Sequence, residues 1–123
     1  MNGLLLAAGL GALALDVVHV IYGERMAHRP ALASSWPAPA KALYSVLWHA
    51  ATAFMALCGT SLIVAAFLPS HALALSALPV ALFLATAGLF LYYGTTRLGS
   101  VRILPQWIAF STISALALAG LAT

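Results

Sequence analysis

Charge is scarce in this chain. Of its 123 residues, five are Lys or Arg and two are Asp or Glu, 6% in all, where a soluble domain carries about a quarter. So little polar surface cannot cover a water-soluble globule, which excludes that class. Cysteine is nearly absent too. Cys58 stands alone inside an apolar run, so no disulfide framework exists and the thiol reads as a small packing residue. Basic clusters are missing as well. The net charge of +3 comes from residues scattered in short loops, which argues against nucleic acid as a partner and for a role in membrane orientation. No Lys or Arg precedes the first apolar run, and that run continues beyond Ala12-Leu13-Ala14, which resembles a leader-peptide cleavage site. The run therefore reads as a retained span.

What fills the chain is hydrophobic: 64% of residues, with a mean hydropathy of +1.07. Apolar stretches at residues 3–22, 41–68, 72–94 and 105–121 come close to the roughly 20 residues that cross a hydrocarbon core of about 30 Å. Short loops join them. The sequence thus predicts an all-α integral membrane protein: one domain, residues 1–123, folded as an up-down-up-down bundle of four transmembrane helices. The second stretch is long enough to tilt. Pro79 is expected to kink the third, and Pro105 suits the first turn of the fourth. Residues 23–40 read as a loop, with Pro30, Pro37 and Pro39 and the interfacial anchor Trp36; Pro69-Ser70-His71 reads as a tight turn.

Orientation follows from the cations. Arg25, Arg29, Lys41, Arg97 and Arg102 all fall on the side that holds loops 23–40 and 95–104, and no Lys or Arg falls on the other. By the positive-inside rule those loops are cytoplasmic and both termini lie outside, an N-out/C-out topology expected in a bacterial inner membrane.

The polar residues inside the spans need a reason, because acids and imidazoles are costly in hydrocarbon. Asp16 and His19 share a helical face with Gly9, Ala12 and Gly23, small residues that admit a close neighbour. Ser45, His49, Thr52, Ala53 and Ala56 share a face of the second span. At about 1.5 Å per residue, His19 and His49 both lie roughly 6 to 12 Å inside the cytoplasmic interface, so the two rings are expected to meet. Ala81, Ala85, Gly88 and Tyr92 form a stripe on the third span, and Trp107, Ser111 and Ser114 one on the fourth. Glu24, about 140° around a regular helix from His19, is expected to pair with Arg25, Arg29 or Arg97. His28 and His71 read as loop residues. Trp36, Tyr44, Trp48, Trp107, Tyr92 and Tyr93 fit the interfacial aromatic belt, with Trp48 also placed to wall a cofactor pocket.

Several functions compete for Asp16, His19 and His49. As ligands they would hold a transition metal, or His19 and His49 would hold haem b; a di-iron centre lacks most of its carboxylates. As a proton relay, Asp16 and His19 would serve a small-solute transporter, and in size and in its first-span acid the chain resembles the small multidrug-resistance transporters, whose other motifs are missing. As structural groups they would bond to each other, to His49 or to Tyr92 in a non-catalytic subunit of a larger membrane complex or a self-associating bundle. The sequence favours this last role, with a homo-oligomer or other membrane subunits as partners beside the lipid bilayer. A lipid-handling enzyme using His19 and His49 as acid and base shows no nucleophile motif.

Two short motifs, His19-x-x-x-Gly23-Glu24-Arg25 and Trp48-His49, give the chain a family likeness. On them it resembles a group of uncharacterised small four-span bacterial membrane proteins. The resemblance covers the first two spans and implies that His19, Glu24, Arg25 and His49 act as a unit. It implies no activity.

Overall fold

The computed structural model describes all 123 residues and is all-helical. One helix runs unbroken from Gly3 to Ala33, in three parts: α1 (Gly3–Val18), a π-helical segment (His19–His28) and α2 (Arg29–Ala33). Then follow α3 (Ala38–Phe67), a 3-10 turn (Pro69–His71), α4 (Ala72–Leu98) and α5 (Gln106–Leu121). Three helices are long and apolar enough to cross a membrane; α5, with 16 residues, is shorter.

Local chemistry sets the ends. Asn2 Oδ1 accepts the Leu4 and Leu5 N–H groups, both at 3.1 Å, and caps α1. Gly99 adopts φ 67° beyond α4, the left-handed position that closes a helix. The expected loop 23–40 is corrected to a short link at residues 34–37. Gly23 does not end the first helix, because the missing side chain makes room for Trp48 on α3; a Cβ there would lie 2.8 Å from its indole. Pro30 lies inside this continuous helix, just after the π segment, where its missing N–H leaves one helical bond unmade without ending the helix.

Consecutive long helices pack antiparallel, and α5 closes the ring against α1. The Asn2 N–H donates to Ala66 O at 2.8 Å, joining the start of α1 to the end of α3. These helices touch backbone to backbone at Gly9 and Gly59, where a Cβ on Gly9 would lie 2.8 Å from Gly59 O. Ser61 Oγ on α3 donates to Leu75 O on α4 at 2.6 Å. That carbonyl lies four residues before Pro79, so the hydroxyl replaces the N–H that proline lacks. Phe83 and Phe90 of α4 pack on Phe110 of α5. Asn2 Nδ2 donates to Gly120 O at 2.6 Å and ties α5 back to α1.

The core is thin. Only 22 of 123 residues are buried, and large apolar side chains such as Leu57, Leu73 and Leu78 stand outside. Such a surface suits lipid rather than water. The stripe Ala81, Ala85, Gly88 and Tyr92 is exposed. The buried face of α4 carries Pro79, Val80, Phe83 and Ala87, since bulky side chains fill the space against Phe110 while alanines lose little in contact with lipid. All five Lys and Arg side chains gather at the end where α2 meets α3 and α4 meets α5. The other end holds Asn2, Ala66 and Gly120.

Candidate functional site

The polar residues converge at the basic end of the bundle, between the π segment and the first half of α3. Their convergence depends on helix pitch. His19 and His28 are nine residues apart, two and a half turns of an α-helix, which would put them on opposite sides. The i→i+5 bonding of a π-helix widens each turn, so nine residues make about two turns and both rings face α3. Trp48 receives them: its ring centroid lies 4.1 Å from that of His19 and 5.4 Å from that of His28, stacked in both cases.

His28 is the centre. It is 5% exposed, and both ring nitrogens are engaged. Nδ1 lies 2.7 Å from Glu24 Oε2, and Nε2 lies 3.0 Å from Ser45 Oγ. An ionised carboxylate only accepts, so Nδ1 donates to Glu24; with the ring neutral, Nε2 is the nitrogen left to accept the Ser45 hydroxyl proton. Tyr44 stacks on His28 at 5.9 Å, and His49 meets it edge-on at 5.5 Å. Glu24 also pairs with Arg29 at 3.4 Å, an arm 72% exposed and so of small energetic weight.

Deeper along the same helix, Asp16 Oδ1 and His19 Nε2 are buried without a hydrogen-bond partner, as is Ser76 Oγ on α4. Unpartnered buried polar atoms are rare in folded proteins, and two lying one turn apart mark a polar site rather than a packing detail. Two open crevices lie elsewhere: about 700 Å³ at the end holding the chain termini, and about 300 Å³ beside Pro79, lined by Cys58, Ser61 and Leu82.

The residues singled out from sequence fall into three groups. Asp16, His19, Glu24 and Trp48 belong to the cluster. His49 meets the ring of His28, while His19 stacks on Trp48; His49 itself is exposed. Arg25 is exposed and makes neither ion pair, and Tyr92 lies on the outer face of α4 against Tyr93. No three His, Cys, Asp or Glu side chains converge as a metal site. Reading His28 as a loop residue is corrected outright, since it is the most enclosed ionisable group of the cluster. The spacing Glu24-x-x-x-His28 was the available signal, because residues four apart meet on a helix. Of the arginines expected to pair with Glu24, Arg29 does so.

Comparison of the chain with protein-family models, with curated proteins and with solved structures finds no match in any of the three.

Proposed function

We propose that the protein is a four-span membrane protein, both termini outside, whose function is acid–base chemistry at its cytoplasmic end. The observation that carries this reading is His28: buried, yet bonded through Nδ1 to a carboxylate and through Nε2 to a hydroxyl. Any buried histidine needs partners for its nitrogens; this one has a carboxylate on one side and a hydroxyl on the other, the order in which a proton can be passed. π-helical turns are rare and frequent at functional sites, and this one holds His19, Glu24 and His28. Asp16 and His19 extend the site inward as proton acceptors with free valence. No Asp, Glu, Lys or Arg continues the path into the outer half. The site therefore exchanges protons with one side, which favours service to a reaction or a partner over a route across the bilayer. The five cations at one end support the orientation.

Two measurements test it. A periplasm-active phosphatase fused after Thr123 should be active, and the same reporter placed in residues 34–37 inactive; the reverse pattern would overturn the topology. Imidazole ¹⁵N spectra of protein in nanodiscs should show one of the four histidines locked as the Nδ1–H tautomer, and its signal should vanish in His28→Gln. Four histidines titrating alike as free rings would remove the acid–base reading.

A second reading is favoured by the outward stripe of Ala77, Ala81, Ala85 and Gly88 on α4. Small residues on a lipid-facing helix let a second helix approach closely, so the bundle self-associates or joins a larger complex through α4. Gly88→Leu should lower the native mass in mild detergent. An unchanged mass would exclude this face.

A further inference from the structure

We infer that Ser45 is a nucleophile toward acyl esters of membrane lipids, activated by His28 and Glu24. The inference rests on the acid–base reading and gives it a substrate class. Ser45 Oγ, His28 Nε2, His28 Nδ1 and Glu24 Oε2 form one chain with steps of 3.0 and 2.7 Å between side chains. A nucleophile, a base and a carboxylate orienting the base, each within hydrogen-bond reach, are the parts acyl transfer requires. Because helical pitch rather than sequence motif assembles them, no nucleophile signature is visible in the chain.

Three observations fit a lipid ester. Ser45 keeps partial exposure while the base beside it is buried, so the hydroxyl is the member an outside molecule reaches. Trp36 and Tyr44, in edge contact at 5.7 Å, mark the interfacial layer. Phospholipid ester carbonyls lie at that depth, between headgroups and hydrocarbon. Lys41 precedes Ser45 by one turn on the same face of α3 and belongs to neither ion pair. A cation one turn from the hydroxyl suits a phosphate-bearing substrate.

The step balances without a further reagent except water. Ser45 Oγ bonds to the acyl carbon as its proton passes to His28 Nε2. The bond from that carbon to the glycerol oxygen breaks, and the imidazolium returns the proton to the leaving alkoxide. Water, deprotonated by the same nitrogen, then cleaves the acyl-serine and releases a fatty acid. Glu24 holds the Nδ1–H throughout and stabilises the transient cation.

The test uses a long-chain alkyl fluorophosphonate on protein in lipid nanodiscs, with the adduct located by peptide mass spectrometry. The expected result is an adduct on Ser45, lowered about 100-fold or more in His28→Gln, with native protein also releasing fatty acid from phosphatidylglycerol vesicles. A Ser45 no more reactive than Ser34 and Ser35 in the same native sample overturns the inference, whatever the variants do. Labelling without release overturns the lipid assignment. Imidazole spectra of the same preparation separate the two claims: a locked His28 with no adduct leaves the acid–base site and removes the nucleophile, and loss of both removes both.

Discussion

Replacing His28 by alanine removes a buried ring and takes a bond from two partners at once. The Glu24 carboxylate and the Ser45 hydroxyl then lack their bonds of 2.7 and 3.0 Å. Ser45 is half-buried and Glu24 keeps its contact with Arg29, so His28→Ala should lower the thermal unfolding midpoint in detergent chiefly through the lost ring packing, and His28→Gln, which keeps a donor and an acceptor, should lower it less. Glycines divide by what surrounds them. Gly9→Ala drives a Cβ to 2.8 Å from Gly59 O and 2.9 Å from Ile63 N, backbone atoms that cannot swing aside. Overpacking of this kind costs about 1–3 kcal/mol. Gly88→Ala meets nothing within 4 Å and should be neutral or gain up to about 1 kcal/mol of helix propensity, read by the same unfolding curve. Gly9, Ala12, Asp16 and His19 were legible in the sequence because regular helical spacing puts them on one face. His28 was not, because Gly23 and three prolines resemble a helix end, and only the wider pitch turns residue 28 back toward residue 19.

Proline exacts a specific compensation in α4. Pro79 leaves Leu75 O without its intrahelical donor, and Ser61 supplies one from α3. Ser61→Ala should therefore destabilise by about 1–3 kcal/mol, the cost of a buried acceptor left unmade. In a Pro79→Ala background the backbone N–H is restored and the same substitution should cost almost nothing. A double-mutant cycle by detergent unfolding reads the difference, and equal costs in both backgrounds would show that the two residues are uncoupled. The unpaired carbonyl was foreseeable from Pro79 alone. Its partner was not, since a serine on another helix is identified only by register. The inward face of α4 was not legible for a related reason: in lipid a small-residue stripe serves either the bundle or an outside neighbour, and Phe83 and Val80 settle which face turns in.

At the scale of the whole molecule the helices are unequal. The 16 residues of α5 extend about 24 Å, short of a hydrocarbon core of about 30 Å. On the proposed four-span topology a bilayer would thin around α5, so the protein should resist unfolding better in lipids with 14-carbon chains than with 20-carbon chains. Equal midpoints in the two would mean that α5 does not cross. The apolar runs and the single basic end were legible from where apolar and charged residues fall along the chain, because apolar length and loop charge are sums that tolerate local error. The closing of the ring was not, because it rests on Asn2, a polar residue outside every apolar run. Its side chain reaches Gly120 across 118 positions of sequence and Thr123 across 121, so these contacts close the widest loops in the molecule and carry a large closure entropy. Helices can form and pair locally before they exist. The return of the final helix to the first is thus the least local contact of the bundle, and it is the one that covers Leu5 of α1 beside Gly120.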